Sequence, residues 1–194
     1  MTLDPAGLQQ VSAFRVRQRF AAMVNRYDVN VAGPDWSAGA PVAFAQQKRL
    51  ALREQVTIYT DDSKREVLCA FKARQVLDVR AQYDVTAPDG TLIGSFRKDF
   101  ARSLLRSTFI LEQPGAPAAV GEERSLLVAL LRRATDAIPL PVHFDFRTEQ
   151  GQPALSSERA WGLRDAYRVS VPAQWLDRRL AIAMVIGLDA LMSR

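Results

Sequence analysis

Hydrophobic and polar residues alternate in short runs along most of the chain, the period-two signature of strands with one face turned to a core. Phe14, Val16, Gln18 and Phe20 share one side of a strand, with Arg15, Arg17 and Arg19 on the other. After a loop at Ala32, Gly33, Pro34 and Asp35, a further strand can start at Pro41. Val56, Ile58 and Thr60 alternate with Thr57 and Tyr59 up to a polar turn at Asp61, Asp62 and Ser63. Val67, Cys69, Phe71 and Ala73 then face away from Lys72 and Arg74. Tyr83 to Thr86 runs into Pro88, Asp89 and Gly90, where proline pre-sets φ and glycine supplies the left-handed position. Strands at 92–100, 107–112, 143–146 and 167–171 follow, the last three closed by Pro114-Gly115, Gly151 and Pro172. Turns this frequent predict an antiparallel meander.

Two segments break that rhythm. Over 122–134, Leu126, Leu127, Leu130 and Leu131 recur at helical spacing, with Glu122 and Glu123 near the start and Arg132 and Arg133 near the end. That charge order suits a helix dipole and predicts one amphipathic helix inserted between strands. The second segment, 176–193, is apolar on every face through its middle, LAIAMVIGL at 180–188. A surface helix hides one stripe only, so this one must be enclosed. Burying Leu180, Ile182, Met184, Val185, Ile186 and Leu188 is worth on the order of 10 kcal/mol at roughly 2 each, which rivals the net stability of a domain. In a chain full of strands the natural wrapper is the sheet, closed into a barrel with no open edge. Leu180, Met184, Ile186 and Leu188 are therefore the expected core, and the organisation expected is one domain over 1–194 with a flexible lead-in over 1–12.

Composition narrows the chemistry. At 194 residues, with 48% hydrophobic and 24% charged, the chain is an ordinary globular one, not a disordered or fibrous one. One cysteine, Cys69, and one histidine, His143, exclude an internal disulfide and leave too few soft ligands for a structural zinc site. The nine-residue apolar run would span about 14 Å as a helix, against roughly 30 Å for a bilayer. With no basic start and apolar stretch at the N-terminus, a cytoplasmic location is the expectation. The net charge of +5 comes from 22 arginines and four lysines against 21 acids, a mild tilt towards anionic partners.

A set of local sequences occurs in order: FAQQKR at 44–49, QVTIYTD at 55–61, FKARQVLD at 71–78, GSFRKDF at 94–100, LLRST at 104–108, WGLRD at 161–165 and LDRRLA at 176–181. This set resembles actinobacterial proteins of the LURF-one-related group, in the tubby C-terminal-like superfamily that includes the phospholipid scramblases. The resemblance runs from about Phe14 to Arg194 and implies a twelve-stranded antiparallel barrel threaded by a hydrophobic C-terminal helix. It also implies a link to acidic lipids, since tubby domains bind phosphoinositides through basic residues. Two departures weigh against a calcium-driven scramblase. The cysteine-rich palmitoylation segment is missing, and Lys64 and Arg65 interrupt Asp61-Asp62-Ser63 where a calcium loop needs alternating oxygen ligands.

For catalysis the sequence offers no nucleophile elbow, P-loop or Gly-x-Gly-x-x-Gly, and the lone His143 has no assigned nucleophile. The protein thus reads as non-enzymatic, with no cofactor. Cys69, on the face of Val67 and Phe71, reads as a buried thiol, and His143 as a solvated or hydrogen-bonded side chain. Lys72 and Arg74, with Arg97, Lys98, Arg102 and Arg106 interleaved by Phe96 and Phe100, are the candidate anion-binding residues. The competing reading is a solvated exterior whose arginines pair with Asp78, Asp84 and Asp99. The Arg15, Arg17, Arg19 stripe carries the same two readings. Trp161 to Asp165 is either a contact loop or an aromatic anchor beside the flexible Gly162. The expected role is a module that binds acidic phospholipid or another anionic ligand at the inner membrane face. The alternative is a protein-interaction scaffold, with scramblase-like lipid handling or an unrecognised enzyme as residual readings. No stacking-aromatic motif of the usual nucleic-acid modules is present.

Overall fold

The computed structural model describes residues 4–20, 24–48, 55–74, 82–104, 107–125, 143–160 and 166–192. Twelve strands form one closed antiparallel barrel. They are β1 (Ala13–Phe20), β2 (Val24–Ala32), β3 (Ala38–Lys48), β4 (Val56–Tyr59), β5 (Val67–Ala73) and β6 (Gln82–Thr86). The second half is β7 (Leu92–Lys98), β8 (Thr108–Glu112), β9 (Ala119–Glu123), β10 (His143–Thr148), β11 (Pro153–Ala160) and β12 (Ala166–Ser170). Each strand pairs with its neighbours in sequence, and β1 closes on β12 with Phe14 opposite Val169 and Val16 opposite Tyr167. Among the described residues two α-helices accompany the barrel, α1 (Pro5–Gln9) and α2 (Arg178–Met192).

The alternation sorts most side chains as the pattern predicts, with runs of four buried residues at 68–71 in β5 and 93–96 in β7. Phe14, Val16, Tyr27, Val29, Ile58, Phe71, Phe96, Phe109 and Phe146 point inward and are almost wholly buried. They surround α2, whose residues 180–189 are buried on every side. Leu180, Met184 and Ile186 have no exposed surface, and Leu188 is 4% exposed. Close approach of helix to wall depends on two missing side chains. A Cβ on Gly94 of β7 would sit 2.5 Å from Leu180 Cδ2, and one on Gly187 of α2 would sit 2.6 Å from Phe96 Cζ. Phe96 meets that glycine from within an aromatic group, stacked on Tyr83 at 5.2 Å and edge-on to Phe71 at 5.4 Å.

Polar contacts hold α2 at both ends. At its start the Asp177 carboxylate accepts from the Arg179 backbone N–H at 2.8 Å and from the Arg179 guanidinium at 2.7 Å. The Arg178 side chain is buried and donates to the carbonyls of Val11, Ala173 and Leu176. Gln113 brackets the same loop, donating to the Trp175 carbonyl and accepting from the Asp177 N–H, both at 2.8 Å. Near the far end the Asp189 carboxylate accepts from the Tyr27 hydroxyl at 2.6 Å and from the Tyr167 hydroxyl. Burial, and then the Asp189 charge beside it, drive the Tyr27 phenol far above its ordinary value, so it stays a donor.

Of the lead-in expected to be flexible over 1–12, the described part begins at Asp4 and packs on the barrel: Asp4 caps α1, Leu8 is 2% exposed, and Gln9 bonds both Asp177 and the Arg178 N–H. One apolar side chain and one amide that reaches the helix start are enough to seat it. Glu122 and Glu123 do not start a helix but end β9, where Ala119, Gly121 and Glu123 face inward between β8 and β10. Cross-strand pairing on both sides outweighs the helical charge order there. Arg124 and Ser125 follow outside any helix, and 126–134 of the expected amphipathic helix lie outside the described residues.

The enclosed helix predicts that Ile186→Asp abolishes soluble expression, because an unpaired charge would lie where no water reaches. Soluble Ile186→Asp protein with unchanged melting would contradict the packing. Deleting 176–194 leaves an insoluble remnant by the same logic. Asp177 gives a pH signature. Burial opposes its ionisation, but the Arg179 side chain and N–H and the Gln9 amide outweigh it and hold the carboxyl below the usual 3.8. The stability it adds is therefore complete above that value and is lost as pH falls through its lower folded value. Asp177→Asn should lower stability at neutral pH by about 1 kcal/mol, the scale of a helix cap, and flatten the acid limb of the urea-unfolding profile.

Candidate functional site

The predicted anion-binding residues divide between surfaces. Lys72 points outward from β5 and lies opposite Asp84 of β6. Arg74, just past β5, grips the same Asp84 through two bonds of 2.9 and 2.7 Å, which raise the affinity of its guanidinium for its proton. Arg97 faces outward on β7, between Gln82 and Ile110. Lys98 points to the other side of the wall, opposite Phe109, with its ammonium 5.5 Å from the Phe100 ring centroid. Arg102 opens a 3₁₀ turn and lies 3.7 Å from the Asp99 carboxylate. Arg106 and Asp78 lie outside the described residues, as does the 161–165 loop. The cations of this set are thus separated by β6 and interleaved with acids.

Arg97 and Arg102 line a groove of about 980 Å³ on the outer faces of β7 to β10. Ile110, Val120, Pro117 and Ala118 give it an apolar floor, and Asp99, Glu112, Glu122, Asp145 and Glu149 give it an acidic border. Arg124 is engaged there, forked onto Asp145 at 2.8 Å through both nitrogens and bonded to Glu158 at 2.7 Å. Those bonds, Arg124's above all, hold the Asp145 carboxyl below its ordinary range.

The opposite wall is different. Arg15, Arg17 and Arg19 do form an exterior stripe on β1, and the neighbouring strands add two more arginines to it. Arg168 of β12 lies directly opposite Arg15, and Arg26 of β2 directly opposite Arg19. Asp28 faces Arg17 in register but bonds Arg19, at 2.6 Å. No carboxylate among the described residues forms an ion pair with Arg15, Arg17, Arg26 or Arg168. Arg168 instead stands over the Trp36 ring, 5.8 Å from its centroid. A cleft of about 290 Å³ separates Arg15 and Arg17 from the Asp61–Asp62 turn. The Asp61 carboxylate is bound to the hydroxyl and N–H of Ser63, and those bonds lower its pKa.

Sequence reasoning missed Arg26 and Arg168 as members of this surface. The signal for Arg26 was present: Asn25, Tyr27, Val29 and Val31 alternate with Arg26, Asp28 and Asn30, a strand pattern broken by no Gly or Pro. The pairing of Arg168 with Arg15 needs the β1–β12 seam, which joins residues far apart in the chain.

Inside the wall, Cys69 is buried as its alternation implies, and burial pushes its thiol up to about 12, which suppresses the reactive thiolate. His143 lies on the exterior face with Asp145 and Arg147 and is half-buried. Among the described residues no three His, Cys, Asp or Glu side chains are placed to hold a metal ion. No described helix is long and apolar enough to cross a membrane. No protein-family model, curated protein or solved structure matches the chain.

Like charges directly opposite one another weaken a sheet by a few tenths to about 1 kcal/mol. Replacing Arg15 by Gln should therefore raise the unfolding free energy at low ionic strength by that order. The gain should fade at about 1 M salt, where the Debye length falls to about 3 Å. Paired denaturation curves at low and high salt check both parts.

Proposed function

We propose that the barrel is a non-enzymatic binding module for anionic ligands, acidic phospholipid first among them. The exterior of β12, β1 and β2 is its contact surface, at the cytoplasmic face of the membrane. The observation that carries the reading is the two pairs of directly opposed arginines on one face, Arg15 with Arg168 and Arg19 with Arg26. A sheet bears that repulsion at a cost, and a phosphate placed between the guanidinium groups turns the cost into attraction. Arginine's planar fork matches phosphate oxygens in pairs. Near an anionic membrane each such charge adds about 1 kcal/mol, so several arginines on one convex wall suffice for reversible attachment. The resemblance to tubby-like domains supports the same class of ligand.

The wall carrying Lys72, Arg74, Arg97 and Arg102 is the weaker candidate. Asp84 and Asp99 already occupy two of its guanidinium groups, and displacing them would cost what a lipid phosphate would return.

Flotation with phosphatidylserine-containing and pure phosphatidylcholine vesicles tests the reading. The protein should float with the anionic vesicles at low salt and be released as salt rises. Arg15→Glu combined with Arg168→Glu should abolish flotation, whereas Arg97→Glu combined with Arg102→Glu should leave most of it. Equal recovery from neutral and anionic vesicles would sink the proposal.

A further inference from the structure

We infer that the cleft between the arginine stripe and the Asp61–Asp62 turn binds a compact zwitterion, a phosphate ester of a primary amine such as phosphoethanolamine. The inference deepens the proposed role of that face and rests on it for where the phosphate sits. Three observations carry it. The first is unspent charge of both signs. The charged side chains lining the cleft of about 290 Å³ are Arg15 and Arg17 on one bank, Asp61 and Asp62 on the other, and Asp28 in the floor. Among the described residues Arg15, Arg17 and Asp62 enter no ion pair. Asp61 spends one oxygen, Oδ1, on Ser63, and Asp28 spends one on Arg19. Lys64 and Arg65 follow the acids in sequence but do not line the cleft, and the Lys64 ammonium is turned to Gln46 at 2.7 Å.

The second observation is spacing. Asp28 lies directly opposite Arg17, Phe44 opposite Asp28, and Tyr59 opposite Phe44, so the turn after Tyr59 begins three strands away from Arg17. At about 4.8 Å per strand that is roughly 14 Å, which leaves room for a ligand touching both banks. The third is the chemistry of the acid bank. A primary ammonium donates to carboxylates through its N–H groups, whereas a quaternary ammonium has none and is recognised on aromatic faces. The aromatic ring lining the cleft, Phe44, is buried and already has the Lys64 ammonium 5.8 Å from its centroid.

A simple anion in this cleft meets repulsion from Asp61 and Asp62, and a simple cation meets it from Arg15 and Arg17. A zwitterion satisfies both banks at once: its phosphate oxygens accept from the guanidinium groups, and its ammonium donates to the carboxylates. On a membrane the two parts of the surface then divide the work. The opposed arginines supply charge-driven attachment, and the cleft reads which headgroup has been met.

Vesicles of equal charge separate selection from attachment. Two sets carry the same mole fraction of phosphatidylglycerol, with phosphatidylethanolamine as the remainder in one and phosphatidylcholine in the other. At low salt the wild-type chain should partition about fivefold better into the ethanolamine set, the scale of one exposed charge pair. Asp61→Asn with Asp62→Asn retains an amide oxygen to accept from Ser63. That double variant should bind both sets alike, and the choline set at least as well as the wild type does. Equal partition of the wild-type chain into the two sets overturns the inference and leaves charge-driven attachment standing. A preference that survives in the double variant overturns it too. Calorimetric titration without vesicles, using O-phosphoethanolamine and inorganic phosphate, covers the remaining case. If neither vesicle set is bound, membrane attachment falls and the free compounds decide. Tighter binding of O-phosphoethanolamine than of phosphate, lost in the double variant, sustains the cleft as a site for a soluble zwitterion. Equal binding of the two, or none, overturns it.

Discussion

Everything in this molecule follows from an apolar helix that must be kept from water on all sides. Residues 180–188 of α2 offer no polar face, and a single layer of helices or an open sheet would leave part of them wet. Closing twelve strands around the helix removes both its exposure and the sheet's own edges. The fit is set by absences as much as by contacts, since Leu180 and Phe96 occupy the space that side chains at positions 94 and 187 would take. What packing alone would leave free to slide, polar groups hold in register: Asp177, Arg178 and Gln113 at one end, and Asp189 between two tyrosines at the other.

Filling the barrel with part of its own chain moves any binding to the outside. Strand alternation then gives the exterior a free choice of residues, because inward and outward positions are decoupled. The chain uses that freedom unevenly. Around β7 to β10 acids and arginines are interleaved and largely bonded to each other. Across the barrel, arginines stand against arginines. The asymmetry is a property of the register, not of the composition, whose net charge is modest.

The architecture was legible in the sequence because it is written in periodicities that survive any tertiary context: the two-residue alternation of Phe14 to Gln18 and of Val67 to Ala73, and the all-round apolarity of 180–188. Elements failed where a local signal competed with a distant one. Glu122 and Glu123 carry the charge order of a helix start, yet β8 and β10 capture them as strand. Asp4 to Gln9 has little local stability, and its order comes from Leu8 in the core and from Asp177, over 160 residues away in the chain. The candidate surface was legible only in part for the same reason. The β1 stripe is visible within one strand, but its reinforcement by Arg26 and Arg168 depends on strand neighbours. So does the neutralisation of Arg74 by Asp84. Register is a long-range fact, and single-strand patterns do not contain it.

The closure of β1 on β12 bears on how the protein is born. The first strand's partner and the barrel's filling both come after every other strand in chain order, so during synthesis eleven strands emerge before the seam or the helix exists. A ribosome adding roughly 5–20 residues per second holds that unfilled sheet open for seconds, with Phe14, Phe71, Phe96 and Phe109 lacking their counterpart. The decisive step of folding therefore cannot come before β12 and α2 have left the ribosome, and until then the nascent sheet exposes apolar surface of the kind that aggregates.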